Sequence, residues 1–406
     1  MKLREVAQYI NGYAFKPSDW KKEGLPIIRI QNLNDPSKPF NYFTGEIPDK
    51  YRVRDGDILI SWSASLGTYM WRGGDAWLNQ HIFKAIVDEE RIDREFFFWT
   101  MRKEIGRIAD LTHGSTMKHV VQETFLDVTI SLPSFQEQKA IANILHRAEN
   151  AIQARRNELA LERERKAALM QHLFTHGTRG EATKQTEIGE MPESWEICSL
   201  HNIAQVAYGL TVNETRRKTA HHVPYLAVAN VTRGALRLDE VKRIGTLPGD
   251  NERYRLLRGD VLLVEGNGNP ALLGSAAVWN DELPFALHQN HLIRARPNQD
   301  RVVPAWLMGY INSDDGRAQL FGKAKTSSGL RSINSNLVAH LLIPLPSISE
   351  QRMITETMDT CDSKIAALEK EIVLQEELFR ALLEELMSGR LSALPLVEAE
   401  GGAREA

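Results

Sequence analysis

The sequence predicts an α+β protein: two mixed α/β domains, separated by two long helices paired as an antiparallel coiled coil, with internal pseudo-two-fold symmetry. Doubling of short motifs, turn-punctuated β-rich runs in each copy, and a heptad seam that closes each copy point to this class. Tyr51-Arg52-Val53-Arg54-Asp55-Gly56-Asp57-Ile58-Leu59 recurs as Tyr254-Arg255-Leu256-Leu257-Arg258-Gly259-Asp260-Val261-Leu262. Leu132-Pro133-Ser134-Phe135-Gln136-Glu137-Gln138 recurs as Leu345-Pro346-Ser347-Ile348-Ser349-Glu350-Gln351. The offset is 203 residues at the first pair and 213 at the second, so order is kept while loop lengths drift.

Each copy opens on a short apolar stretch that ends in glycine, Leu3 to Gly12 against Leu200 to Gly209. Proline-led strand candidates follow, Pro26 to Asn32 and Pro224 to Asn230. The Gly56-Asp57 and Gly259-Asp260 pairs predict turns feeding β-rich runs. A third strand candidate carries Asn79-Gln80-His81-Ile82 in one copy and Gln289-Asn290-His291-Leu292 in the other. Within these apolar runs, both histidines are expected to be structural. A helix with aromatic anchors comes next, Phe96-Phe97-Phe98-Trp99 against Trp306-Leu307-Met308, and then a loop rich in Ser, Thr and Gly.

After Pro346, the residues Ile354, Met358, Cys361, Ile365, Leu368, Ile372, Gln375, Phe379, Leu382 and Leu386 follow spacings of 4 and 3 without a break, which is a heptad seam. Subtracting 213 gives Ile141, Leu145, Ala148, Ile152, Arg155, Leu159, Glu162, Lys166, Leu169 and Leu173, the same seam with three charged interruptions. Each helix would be about 65 Å long at 1.5 Å per residue. The expected division is 1–133 as the first domain, 134–177 as the first long helix, 178–346 as linker and second domain, 347–390 as the second long helix, and 391–406 as a frayed tail.

The variable domain, the Leu-Pro-x-x-x-Glu-Gln-x-x-Ile opening of a long helix, and the repetition of both resemble the specificity subunit of type I restriction-modification systems. Leu132, Pro133, Glu137, Gln138 and Ile141, repeated as Leu345, Pro346, Glu350, Gln351 and Ile354, carry the resemblance. The stretch Glu187 to Trp195 is similar to that family's lead into a second target-recognition domain. The resemblance implies a non-catalytic reader of double-stranded DNA, in which each target-recognition domain reads one half of a bipartite asymmetric site and the helix pair sets the gap. It also implies two modification (methyltransferase) subunits, which flip an adenine and methylate its N6 from S-adenosylmethionine, and restriction subunits in the larger complex. No cofactor is then expected on this chain itself.

Composition agrees with that division of labour. The chain has 50 Lys and Arg against 53 Asp and Glu, and the acidic excess falls in residues 347–406, with 6 basic and 13 acidic side chains. A DNA reader of this charge must cluster its cations by folding or borrow them from a partner. Cys198 and Cys361 have no disulfide or zinc spacing, and no apolar run is long enough to span a bilayer, so a cytoplasmic location without membrane contact is expected. No catalytic tetrapeptide, phosphate loop or metal-ligand pattern is present, so no catalytic or metal-binding residue is assigned.

Candidate DNA contacts fall in three loops of each copy. After the Gly-Asp turns, Ser61, Ser63 and Ser65 face Glu265, Asn267 and Asn269, residue types that can read base edges. Before the long helices, Ser115, Thr116 and Lys118 correspond to Ser327, Ser328 and Arg331, flanked by Lys323 and Lys325, and suit phosphate. Following Gly12 and Gly209, Tyr13, Lys16, Lys21 and Lys22 correspond to Asn213, Arg216, Arg217 and Lys218. Partner subunits are expected on the outer helix faces, with Arg156, Arg163 and Arg165 on one and Glu369, Glu371, Glu376 and Glu377 on the other. Two other classes compete: a duplicated coiled-coil scaffold without DNA readout, and an enzyme using Asp57 and Asp260.

Overall fold

A computed structural model describes residues 1–62, 65–111, 126–266, 272–322, 325–327 and 330–395. The chain forms two compact units, one from Met1–Asn157 together with the segment from Glu369 onward, the other from Glu158–Leu368.

In the first unit, strands β1 (Ala7–Asn11), β2 (Leu25–Ile28), β3 (Asn41–Phe43), β4 (Arg52–Val53), β5 (Ile58–Ser61), β6 (Gly67–Met70), β7 (Ala76–Leu78) and β8 (Ile82–Val87) form two four-stranded sheets, ordered β1-β8-β5-β6 and β3-β2-β7-β4. Helix α1 (Ile30–Asn34) follows β2, and α2 (Arg94–Leu111) covers the first sheet. The long helix α3 (Phe135–His176) begins here and continues into the second unit.

The second unit repeats the plan. It has β9 (Thr183–Thr186), β10 (Gly189–Pro192), β11 (Glu196–Ser199), β12 (Ala204–Tyr208), α4 (Glu214–Arg217), β13 (His222–Leu226), β14 (Lys242–Gly245), α5 (Asp250–Tyr254), β15 (Val261–Val264), β16 (Ala276–Val278), β17 (Leu287–His288) and β18 (Leu292–Pro297). Then come α6 (Pro304–Asn312), α7 (Asp314–Gly322), β19 (Lys325–Ser327), β20 (Leu330–Ser332), α8 (Ser335–Ala339), β21 (Leu342–Leu345) and the long helix α9 (Ile348–Met387). The sheet β12-β18-β15-β16 reproduces β1-β8-β5-β6 strand for strand. The hairpin β9-β10 has no counterpart among the described residues of the first unit.

The proline-led strands stop earlier than the sequence suggests, because an asparagine turns the chain. Asn32 accepts from the Arg29 amide at 3.2 Å and donates to the Lys38 carbonyl at 3.1 Å. Asn230 does the same with the Ala227 amide, at 2.9 Å, and the Arg237 carbonyl, at 2.8 Å. Both asparagine side chains are buried, so each ties down the backbone of its loop from the inner side.

The repeated Leu-Pro-x-x-x-Glu-Gln motif has a mechanical meaning. Gln138 accepts from the Asp93 amide at 2.7 Å and donates to the Pro133 carbonyl at 3.0 Å, tying the start of α3 to the start of α2. Gln351 likewise accepts from the Val303 amide at 2.8 Å and donates to the Pro346 carbonyl at 2.9 Å, tying α9 to α6. The glutamates grip the exit of the opposite helix. Glu350 accepts from the Thr178 amide at 2.9 Å, just beyond the Gly177 cap of α3. Glu137 accepts from the Ala393 amide and from the Ser392 hydroxyl, just beyond the Gly389 cap of α9. Ala393 is fully buried, so residues 391–395 are docked rather than frayed; 396–406 lie outside the described residues.

Within each unit the two long helices run antiparallel, and the seam is half-buried or buried at every position from Ile354 to Leu386. Its charged interruptions on α3 meet opposite charges on α9. Arg155 pairs with Glu371 at 2.8 Å in the first unit, while Glu162 takes Lys364 at 2.5 Å and Lys166 takes Asp362 in the second. Arg156 also turns to Glu376, at 2.6 Å. The outward faces expected for Arg156, Glu371 and Glu376 therefore need correcting, since pairing between helices uses their charge.

Candidate nucleic-acid interface

The Asn79-Gln80-His81 and Gln289-Asn290-His291 segments are turns, not strands; they carry the chain from one sheet to the other. The chain after β1 runs against the first turn, with the Tyr13 amide donating to the Leu78 carbonyl at 2.8 Å and the Gly12 amide to Ile82 at 3.0 Å. A Cβ on Gly12 would lie 2.0 Å from the Asn79 oxygen, and one on Gly209 would lie 2.1 Å from the His288 oxygen. Close backbone approach thus demands glycine at both positions.

Beside each turn lies the residue that leaves the central strand. In the first unit Trp62 stacks on Phe83, 5.6 Å between ring centroids, and sits 5.8 Å from the His81 ring. In the second, Glu265 takes the place of Trp62 and accepts from His291 Nδ1 at 2.9 Å. A carboxylate can only accept, so Nδ1 carries the proton and Nε2 is left for solvent or a ligand. Glu265 also receives the Ile333 amide on its carbonyl at 2.9 Å, which fastens the foot of the β19-β20 hairpin to the same spot. Both histidines are exposed at the turn rather than enclosed in an apolar strand, and His291 has the hydrogen bond expected of a structural residue. Among the described residues the buried histidine is His288, whose pKa falls to about 4 because burial penalises its charged form.

The expected contacts that fall within the described residues differ in exposure. Ser65 is half-buried, Glu265 is half-buried and bonded to His291, and Lys16, Lys21 and Lys22 are exposed on the loop that follows Tyr13. Tyr13 itself packs edge-on against Phe15 and Tyr51, with centroids 4.9 and 5.5 Å away. On the matching loop, Arg217 and Lys218 are exposed, and Arg217 leans on Glu214 at 3.7 Å. Asn213 caps α4 by accepting the Arg216 amide at 3.0 Å.

Two expected contacts are structural instead. Ser61 is fully buried and donates to the Ser65 carbonyl. Arg216 is buried in an ion pair with Asp250 at 2.7 Å, so its guanidinium anchors α4 rather than facing a ligand. The backbone of Lys325, Ser327 and Arg331 forms the β19-β20 hairpin, with Thr326 opposite Arg331. Ser63, Ser115, Thr116, Lys118, Asn267, Asn269, Lys323 and Ser328 lie outside the described residues.

The duplicated aspartates close turns. Asp57 accepts the Arg54 amide and Asp260 the Leu257 amide, each at 2.8 Å, and Gly56 and Gly259 adopt positive φ beside them. Arg296 grips Asp260 with two contacts of 2.7 and 2.8 Å. Both carboxylates are committed to the fold, which removes the main support for a stand-alone enzyme. No helix among the described residues is long and apolar enough to cross a membrane, and none of their acidic, His and Cys side chains group as a metal site.

Comparison with known proteins accounts for this paired architecture. The chain is 24% identical over 414 residues to the type I restriction enzyme EcoBI specificity subunit of Escherichia coli, covering 96% of this chain and 85% of the relative. It is also 24% identical to the MjaVIII specificity subunit of Methanocaldococcus jannaschii, covering 96% and 92%. The fold is that of the S subunit of the M. genitalium type I restriction-modification system, with a TM-score of 0.56 at 15% identity and 95% of each chain covered. A chain from a structure addressing complex assembly and conformational transition of the type I R-M system gives 0.61 at 16% identity, covering 96% and 97%. Residues 1–162 and 192–376 match the type I restriction modification DNA specificity domain, and the chain belongs to that family.

Proposed function

We propose that each unit reads one half of a bipartite, asymmetric site in double-stranded DNA, and that α3 and α9 set the unspecified gap between the halves. The observation that carries this reading is the turn between the two sheets common to both units, where the same turn and glycine approach present different side chains: Trp62 and His81 in one, Glu265 and His291 in the other. One scaffold with two surfaces suits two different half-sites. The exposed Lys16, Lys21, Lys22, Arg217 and Lys218 would meet phosphate, with base contact left to the loops after β5 and β15. His81 and His291 join these candidates; the sequence signal for them was their repetition after an Asn-Gln or Gln-Asn pair.

Under this reading the chain holds no cofactor and performs no chemistry. Two modification subunits bind it and methylate adenine N6 with S-adenosylmethionine, and restriction subunits complete the larger assembly. Mapping N6-methyladenine in a methylation-free host expressing this chain with its modification subunit tests the proposal. A bipartite motif with one fixed gap is expected. Methylation confined to one continuous motif, or absent despite a stable complex, would favour a scaffold without DNA readout.

A further inference from the structure

The second unit contains a cavity of about 590 Å³ between its long-helix pair and α6-α7. Its origin is visible by superposing the two copies in sequence. Asp93 and Val303 hold equivalent places at the helix starts tied by Gln138 and Gln351, so Trp99 corresponds to Gly309 and Arg102 to Asn312. On the long helices, Phe379 corresponds to Lys166 and Glu149 to Asp362. In the first unit these four residues fill the space: Trp99 packs edge-on against Phe379 at 5.6 Å, Arg102 lies 5.1 Å over the Trp99 ring, and Glu149 pairs with Arg102. In the second unit Gly309, Asn312, Lys166 and Asp362 all line the cavity, so the positions that carry the Trp99 indole and the Arg102 guanidinium in the first unit supply neither group here.

We propose that this cavity is a binding site for a planar aromatic group that carries a positive charge. The apolar floor, formed by Phe174, Trp306, Ile354 and Met358, suits the ring. The rim supplies the countercharge. Lys166 is neutralised by Asp362, whereas Asp315 and Asp359 make no salt bridge among the described residues and have pKa values raised first by desolvation, then by Asp314 and Asp362 respectively. A cation brought beside these two exposed rim carboxylates favours their charged form, much as Arg102 and Glu149 satisfy each other in the first unit. Arg163 and Arg233 also line the rim and set the position of the charge away from their side.

Tryptamine, an indole with an ammonium group, is the probe, titrated into the full chain by calorimetry. The site predicts saturable 1:1 binding that weakens about tenfold for indole-3-propionate, which has the same ring and the opposite charge. Gly309→Trp should abolish it: a Cβ there meets only Phe174 Cζ at 3.7 Å, an ordinary contact, so the new indole takes the cavity as Trp99 does. Asp315→Asn with Asp359→Asn leaves the floor intact and should weaken tryptamine about tenfold, which keeps the test open if the tryptophan variant misfolds. Absence of binding, or equal binding by the native chain and the variants, overturns the proposal. Repeating the titration on the complex with the modification subunit separates the sources: loss of the site on assembly identifies a partner's aromatic and basic side chains as the occupant, and retention identifies a free aromatic cation. None of these readouts depends on DNA recognition.

Discussion

The two units share one topology and differ at a few positions that decide what each can do. Where the first has Leu78, Trp62 and Trp99, the second has His288, Glu265 and Gly309. Each exchange replaces an apolar contact by a polar group or a space. The first unit is thereby closed by aromatic packing, with Trp99 fully buried against Phe379. The second carries an acid-sensitive buried histidine, a His-carboxylate pair at its surface and an open cavity. Duplication preserves the frame and spends its freedom at the edges of that frame.

The largest expected effect comes from the aromatic anchors. Trp306 is buried, donates to the Pro344 carbonyl at 3.1 Å and packs on Phe174 and Trp195. Trp306→Ala should cost about 4 kcal/mol in denaturant unfolding of the second unit, and Trp99→Ala a similar amount in the first. A loss below about 1 kcal/mol at either tryptophan would show that the helix pair, not the domain core, holds that unit together.

Next in size is the contrast between His288 and Leu78. The pKa of His288 is about 4 in the folded chain against 6.5 when unperturbed, so the unfolded chain binds the proton first as pH falls. The stability this histidine permits is whole above pH 6.5 and is lost between pH 6.5 and 4, by about 3 kcal/mol. His288→Leu, which copies the first unit, should flatten that pH dependence; an unchanged slope would assign it to other groups.

Smaller effects separate the two clasps. Glu350 is 2% exposed and holds Thr178, with Arg179 at 3.3 Å, whereas Glu137 is half-buried. Glu350→Ala should cost about 2 kcal/mol and Glu137→Ala about 1, both read as shifts in urea midpoint. Smallest of all is the half-buried, partly solvated pair Arg155 and Glu371, worth about 0.5 kcal/mol in a double-mutant cycle that weakens further with salt.

The repeat and both heptad seams were legible because periodicity is a local property of the chain. The sequence also showed Arg155, Glu162 and Lys166 as interruptions, but their partners on α9 lie some 200 residues away and only the antiparallel register reveals them. The turns at His81 and His291 read as strands because apolar residues flank them on both sides, although those residues belong to two different sheets. Arg216 looked like a free cation in a basic run; its partner Asp250 comes from another helix. The docked tail was missed for the same reason, since Ala393 is ordinary until Glu137 is placed beside it.

The most direct test of the central claim lengthens the ruler and leaves the readers untouched. Inserting four helical residues into both long helices, near Arg155 and near Leu368, adds about 6 Å at 1.5 Å per residue, close to two base pairs at about 3.4 Å each. Methylation mapping of this variant should return the same two half-sites with a gap longer by about two base pairs. The same half-sites at the original gap would contradict the account.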